Sequence, residues 1–113
     1  MFEYRAKIIS VYDGDTCRAD IDLGFGVTLK NQQLRLHGID TPEIGSEAGY
    51  AARDFARALL PIGLSLQIQT FKDAKEKYGR YLAKITLPDG SDLAAAMIAS
   101  GHGTPYFGGA KTP

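Results

Sequence analysis

The sequence predicts a β-rich α+β fold, a five-stranded barrel with a helix between strands 3 and 4 and a short C-terminal helix. Two observations predict it. Apolar and polar residues alternate in five segments, as they do in half-buried strands. Apolar residues recur at three-to-four-residue spacing in two others, as they do in amphipathic helices. Three strands, a helix, two strands and a final helix is the arrangement of an OB-fold barrel.

The first three strands are predicted from alternation and turn residues. The first has apolar residues at every second position, namely Phe2, Tyr4, Ala6 and Ile8. Asp13-Gly14 is a hairpin turn signal, and a second strand is expected over residues 16–23. Gly24-Phe25-Gly26 separates it from a third strand over residues 27–37, because glycines commonly interrupt strands.

The first helix is predicted where the period changes. The apolar residues at helical spacing are Ala48, Ala51, Ala52, Phe55, Ala58 and Leu59. Either Ser46 or Asp40 could cap its N-terminus, since both side chains can accept a hydrogen bond from the first turn. Pro61 and Gly63 are expected to end it.

The remaining elements complete one domain. Alternation predicts a fourth strand over residues 64–69 and a fifth over residues 81–87, followed by a short apolar helix over residues 93–98. We expect residues 1–101 to form the folded domain. Residues 102–113 are rich in glycine and proline and are expected to form an irregular tail.

The composition limits the classes of function. The 13 Lys and Arg residues balance the 13 Asp and Glu residues, and 44% of the chain is hydrophobic. A neutral chain is not suited to coating nucleic acid or anionic membrane by bulk charge, so a polyanion would need a local arrangement of charges. The single Cys17 can form neither an internal disulfide nor a thiolate zinc site, and is expected in the core or on the surface of a strand.

Neither a membrane span nor a secretory signal is evident. No run approaches the ~18 apolar residues of a membrane span. The first five residues lack a basic region followed by an apolar stretch. We therefore expect a cytoplasmic monomer, with a secreted form as the alternative if a leader precedes Met1.

Three segments carry residues suited to phosphate chemistry. They are Asp13-Gly14-Asp15-Thr16, the run R-L-H-G-I-D-T-P-E from Arg35 to Glu43, and Glu76-Lys77-Tyr78-Gly79-Arg80. Each has a structural alternative: the first is a common hairpin corner, the second a strand end before a capped helix, and the third a solvated turn. Taken together, the three segments indicate a site.

The side chains of these segments match the needs of phosphodiester hydrolysis. Asp15 and Asp40 offer carboxylate oxygens, which suit Ca²⁺ or Mg²⁺ and not zinc. Arg35 and Arg80, from different strands, could each bind a phosphate through a planar guanidinium. Glu43 follows Asp40 by three residues and could reach a metal-bound water. A metal, a base and two guanidinium groups are the parts that the reaction requires.

These segments resemble the pattern of the staphylococcal nuclease family, which has a DGDT turn, an R-L-x-G-[IV]-D-T-P-E run and a K-Y-G-R loop. The resemblance extends from about Ile8 to Gly101 and rests on three motifs in the right order. It implies a Ca²⁺-dependent OB-fold nuclease that hydrolyses DNA or RNA. We expect little sequence specificity, because contacts to phosphate carry no sequence information, and a preference for single strands.

The resemblance also implies the roles of individual residues. The ligands of one Ca²⁺ ion would be Asp15, Asp40 and the backbone carbonyl of Thr41. The catalytic residues would be Arg35, Glu43 and Arg80. The positions that hold a terminal phosphate are matched by Lys77 and Tyr78.

Some residues fall outside this pattern. In the tail, Tyr106 or Phe107 could supply an aromatic ring for base stacking. We expect structural roles for the two histidines, His37 and His102. Asp20 and Asp22 are expected on a solvated strand face, with contact to the metal as the alternative.

A different class of function is a non-catalytic OB-fold module that binds nucleic acid or a peptide. Nuclease-like domains that have become binding modules typically lose an arginine or the glutamate, and this chain has all of these residues. A binding module should also have a basic groove with several exposed aromatic residues, which the neutral composition does not supply. The sequence therefore favours an enzyme.

Overall fold

A computed structural model describes residues 2–71 and 78–106. The elements in chain order are β1 (Phe2–Asp13), β2 (Thr16–Gly24), β3 (Val27–Leu36), β4 (Ile39–Asp40), α1 (Glu47–Leu59), β5 (Ser65–Thr70), β6 (Tyr81–Thr86), α2 (Leu93–Ala99) and β7 (Thr104–Pro105). Five of the strands form a closed barrel in the order β1-β2-β3-β6-β5. The β3–β6 pair is parallel and the others are antiparallel. The predicted fold class, a β-rich α+β protein with a five-stranded OB-fold barrel, is confirmed.

The barrel encloses one apolar core. Its largest fully buried side chains are Ile8, Leu34, Ile39, Ile68, Ile85, Leu93 and Met97. The alternation of β1 changes phase along the strand: Ala6 and Ile8 are buried, but the next buried residue is Val11. A register shift between Ile8 and Ser10 causes this change, because an extra residue in one strand turns the following side chains to the opposite face. Cys17 is buried in the core.

One of the two predicted N-cap residues caps helix α1. The Ser46 side chain accepts a hydrogen bond from the backbone N–H of Gly49 at 3.0 Å, so Ser46 is the cap. Asp40, the other candidate, lies in β4. At the far end, the Arg57 guanidinium donates two hydrogen bonds to the carbonyl oxygen of Val11, at 3.1 and 3.0 Å. These bonds hold α1 against the end of β1.

The short β4–β7 pair is a feature that periodicity did not predict. Ile39 pairs with Pro105 and Asp40 with Thr104, so part of the expected tail forms a strand. The pairing depends on Gly103, because a Cβ atom there would overlap the Ile39 side chain. Residues 107–113 of that tail lie outside the described residues.

The length and hydropathy of the two helices bear on membrane insertion. Neither helix within the described ranges is long and apolar enough to cross a membrane.

Candidate active site

Strand β3 brings the three sequence motifs to one part of the barrel. Arg35 pairs with Thr16 of β2 on one side and with Leu82 of β6 on the other. The DGDT turn ends at Thr16, the first residue of β2, and Arg80 immediately precedes β6. The motifs are therefore neighbours because of strand pairing, although they are far apart in the chain.

The Arg35 guanidinium lies between the two predicted acidic ligands. Its Nη2 atom is 3.5 Å from Oδ2 of Asp15 and 3.7 Å from Oδ1 of Asp40. The side chains of Arg35, Asp15 and Asp40 are 13%, 9% and 27% exposed, so the cluster is largely shielded from water. Nη1 of Arg35 donates to the carbonyl oxygen of Leu36 at 2.6 Å. The structure thus brings together two of the predicted metal ligands and one of the predicted catalytic arginines.

Thr41 lies against the Asp15 side of this cluster. Its backbone N–H donates to Oδ2 of Asp15 at 3.1 Å. A Cβ atom on Gly14 would lie 2.9 Å from the Thr41 side chain, so the glycine allows the DGDT turn to approach closely. Thr41 is buried, and its Oγ1 atom has no hydrogen-bond partner among the described residues.

Asp13 also belongs to this region, although it was assigned no role in the site from the sequence. Its Oδ1 atom accepts a hydrogen bond from the backbone N–H of Asp15 at 3.1 Å. Burial, reinforced by the negative charge of Asp15, raises the pKa of Asp13 to about 6. The signal that could have identified it is the spacing of two acidic residues on either side of Gly14.

The donor atoms of the site suit a hard cation such as Ca²⁺. Within residues 2–71 and 78–106, no group of three or more His, Cys, Asp or Glu side chains could hold a metal ion. Among the described residues, the carboxylates available at this place are those of Asp15 and Asp40. Ca²⁺ also accepts backbone carbonyl and water oxygens, so the Thr41 carbonyl and solvent can complete such a shell. The unpartnered, buried Thr41 Oγ1 is a further oxygen at this place.

Glu43 is placed differently from Asp15 and Asp40. Its side chain is exposed, and its carboxylate has no hydrogen bond or ion pair with any described residue. Its backbone carbonyl oxygen, in contrast, accepts a hydrogen bond from the Ser46 hydroxyl at 2.8 Å. The Glu43 carboxylate is therefore open to solvent while its backbone is held.

The third motif is described only in part. Tyr78 is exposed, and the Arg80 guanidinium lies over its ring, 5.3 Å from the ring centroid. Lys77 lies outside the described residues, so its predicted contact with phosphate stays a prediction.

The two histidines make aromatic contacts. The His37 ring stacks on Phe71 with centroids 4.0 Å apart, and burial, followed by the nearby Arg35 charge, lowers the pKa of His37. The His102 ring lies 4.8 Å from that of Phe55. Both histidine rings therefore pack against a phenylalanine ring.

The two extra acidic residues serve the β2–β3 hairpin. Asp20 accepts a hydrogen bond from the Asn31 backbone at 2.8 Å and pairs with Lys30 at 3.4 Å. Asp22 accepts from the backbone of Gly24 at 2.8 Å. Both carboxylates therefore have partners within the hairpin itself.

The barrel and its acidic cluster define an OB-fold protein with a cation-suited site where the start of β2, the end of β3 and β4 meet. The sequence model of the family described as "Staphylococcal nuclease homologue" matches residues 33–111, more than half of the chain. The chain belongs to this family. The match includes Arg35, Asp40 and Glu43 but begins after the DGDT turn, so the structure adds the contact between Asp15 and Arg35.

Individual relatives agree with the family. The chain is 35% identical to the thermonuclease of Staphylococcus hyicus over 91 residues, which cover 75% of this chain and 50% of that protein. It is 27% identical to an uncharacterized endonuclease of Escherichia coli O157:H7 over 104 residues, covering 92% of this chain and 62% of the relative. It is 25% identical to endonuclease YhcR of Bacillus subtilis (strain 168) over 116 residues, covering 93% of this chain and 9% of the relative. The chain spans less than two thirds of the length of each of these proteins.

Proposed function

We propose that the protein is a Ca²⁺-dependent nuclease that hydrolyses phosphodiester bonds of DNA or RNA and leaves 3′-phosphate ends. The observation that carries the proposal is the approach of Asp15 and Asp40 to the same Arg35 nitrogen, at 3.5 and 3.7 Å. A pair of carboxylates beside an arginine, one buried and one partly exposed, is suited to holding a cation and a phosphate together. Family membership, and relatives whose names include thermonuclease and endonuclease, support the same interpretation.

The acidic residues would hold the metal. Asp15 and Asp40 would bind Ca²⁺ through their carboxylates, and Thr41 through its backbone carbonyl. Bound there, the ion supplies Lewis-acid polarisation of the phosphate and orientation of the attacking water.

Three side chains of the chain itself would perform the remaining chemistry. Glu43, exposed and without a partner among the described residues, accepts the proton of the attacking water. Arg35 and Arg80 donate hydrogen bonds to the phosphate oxygens on which negative charge grows in the transition state. A new bond forms between the water oxygen and phosphorus as the bond to the 5′ oxygen breaks. The departing 5′ oxygen takes a proton from solvent, so the products are a 3′-phosphate and a 5′-hydroxyl.

Substrate choice follows from the groups that the site would contact. Phosphate and sugar contacts carry no base information, so cleavage should have little sequence specificity. A single strand can bring its phosphate into a site beside the barrel more easily than a duplex can, so single strands should be preferred. Lys77 and Tyr78 would bind a terminal phosphate. The protein would act as a monomer.

The first experiment tests the class of reaction. Single-stranded DNA carrying a 5′ fluorophore is incubated with the protein in Ca²⁺, in Mg²⁺ or in chelator. We expect cleavage in Ca²⁺ and none in chelator. The products should be extended by a DNA polymerase only after treatment with a phosphatase, because a 3′-phosphate blocks extension. Binding without cleavage under every metal condition would favour the non-catalytic binding module instead.

Variants then test the assigned residues. Arg35→Lys, Glu43→Gln and Arg80→Ala should each lower turnover by about 100-fold or more, because each removes a group used in the transition state. Lysine at position 35 should fail because an ammonium group cannot make the two-pronged contact of a guanidinium. Arg53→Lys is the matched control and should retain activity, because the half-buried Arg53 of α1 pairs with Asp54 at 3.0 Å and has no assigned role in the reaction. Wild-type rates for both Glu43→Gln and Arg80→Ala would contradict the assignment.

A further inference from the structure

Two residues at the start of α1, Ser46 and Gly49, contact the backbone of Glu43. We propose that Ser46 and Gly49 are positioning residues that hold Glu43 in place for the attack on phosphate. The inference rests on the proposed function, since it concerns the residue that would accept the proton of the attacking water.

Ser46 uses its hydroxyl in two directions. The hydroxyl accepts a hydrogen bond from the Gly49 N–H at 3.0 Å, which caps the helix. The same hydroxyl donates to the carbonyl oxygen of Glu43 at 2.8 Å, and the Ser46 backbone N–H approaches that oxygen at 3.4 Å. A cap needs only the first of these bonds, so the second is available for another purpose.

Gly49 makes room for the same carbonyl group. It is buried in the first turn of α1, where glycine costs about 0.5–1 kcal/mol relative to alanine. The φ angle of Gly49 is not positive, so its backbone conformation does not require glycine. A Cβ atom there would overlap the carbonyl oxygen and carbon of Glu43. The missing side chain therefore lets the Glu43 backbone lie directly against the helix.

These backbone contacts matter because the Glu43 side chain has none of its own among the described residues. The segment that carries it is held at both ends. At one end the Thr41 N–H donates to Asp15 at 3.1 Å, and at the other the Ser46 hydroxyl binds the Glu43 carbonyl. An error of about 1 Å in the position of a catalytic group can cost about 100-fold in rate. Loss of the Ser46 contact should therefore lower the rate without removing any catalytic group.

Substitutions at Ser46 separate the two uses of the hydroxyl. Ser46→Asp keeps an acceptor for the Gly49 N–H but has no hydrogen to donate to Glu43. Ser46→Thr keeps both bonds, and Ser46→Ala loses both. We expect kcat to fall about 10-fold or more in Ser46→Asp and Ser46→Ala, with KM unchanged, and to be retained in Ser46→Thr. Only Ser46→Ala should also lower the thermal midpoint of unfolding.

Two control variants separate the positioning of Glu43 from an effect of added charge and from a loss of stability. Ala48→Asp places the same negative charge in the exposed first turn of α1 without a bond to Glu43, and its kcat should stay near that of wild type. Asp92→Ala removes the cap of α2, where Asp92 accepts from Ala95 at 3.0 Å. It should lower stability without lowering kcat. Gly49→Ala should lower kcat as Ser46→Asp does; if it fails to fold, the Ser46 series still decides.

A second measurement does not depend on catalysis. Amide hydrogen exchange over residues 43–46 of the metal-free protein should be faster in Ser46→Asp than in Ser46→Thr or wild type. A kcat for Ser46→Asp within twofold of wild type, an equal loss in Ala48→Asp, or unchanged exchange would overturn the positioning role. Absence of Ca²⁺-dependent cleavage by the wild-type protein would overturn the proposed function and this role with it.

Discussion

Replacing Arg35 by methionine tests how the acidic cluster is stabilised when no metal is bound. The substitution keeps a long apolar side chain and removes the guanidinium that lies 3.5 Å from Asp15 and 3.7 Å from Asp40. The two carboxylates then lose their shared positive partner. We expect the metal-free protein to become less stable and to depend more strongly on Ca²⁺.

The size of the effect follows from burial. Removing one partner of a buried ion pair costs about 3–5 kcal/mol, because the other charge is left without compensation. Asp40 is partly exposed, so water screens one of the two pairs. The Arg35 hydrogen bond to the Leu36 carbonyl is also lost, at about 1 kcal/mol. A decrease of about 3 kcal/mol in the free energy of unfolding is expected in chelator.

Ca²⁺ should restore much of that loss. A ligand that binds only the folded state adds about 2.7 kcal/mol when its concentration is about 100 times its Kd. Without the nearby guanidinium charge, the carboxylates of Asp15 and Asp40 should bind a divalent ion more tightly than in wild type. The gain in stability from Ca²⁺ should therefore be larger in Arg35→Met than in the wild-type protein.

Urea unfolding followed by circular dichroism, in chelator and in Ca²⁺, measures both effects. Arg18→Met is the matched control, because Arg18 is exposed and, among the described residues, hydrogen-bonds only to Asn31, at 3.3 Å or more. This substitution should change the free energy of unfolding by about 0.5 kcal/mol or less. Unchanged stability of Arg35→Met in chelator, or an equal gain from Ca²⁺ in both proteins, would refute the reasoning.

Three further substitutions test the packing around the site by urea unfolding. The folded-state pKa of Asp13, about 6, exceeds its usual 3.8, so its stabilising contribution is full below pH 3.8 and is lost as pH rises through 6. In metal-free buffer at about pH 7, Asp13→Asn should thus be more stable than wild type. The expected difference in the free energy of unfolding is about 1 kcal/mol, because solvent screens this partly exposed group. The difference should disappear near about pH 4. A less stable variant at neutral pH would contradict this. Gly103→Ala should cost about 1–3 kcal/mol, because the added Cβ overlaps Ile39; a neutral effect would show that β7 does not need this close approach. Arg57→Met should lower the free energy of unfolding by about 1–2 kcal/mol, because it removes two hydrogen bonds to Val11. If the variant is as stable as wild type, these two bonds make no net contribution to stability.

Local features of the fold were predictable because they repeat over a few residues. Leu34 and Leu36, two positions apart in β3, share its buried face, as alternation along a strand requires. Ser46 caps α1 as its side chain allows, but the sequence alone did not distinguish it from Asp40. The β1 bulge was missed, because alternation cannot register a residue inserted by strand pairing. The β4–β7 pair was missed because two paired residues are too few to have a period.

The sequence by itself determined the order of the five barrel strands and the two helices, and the kinds of side chain available for chemistry. Two aspartates with hard carboxylate oxygens, two arginines and a glutamate are identified from residue types and motif order. Only the tertiary structure decided that Asp15 and Asp40 face one nitrogen of Arg35, and that Asp13 is buried deeply enough, beside the charge of Asp15, for its pKa to rise. The physical reason is range. Periodicity and capping depend on neighbours along the chain, whereas a shared ion pair depends on the register between strands that the chain brings together only on folding.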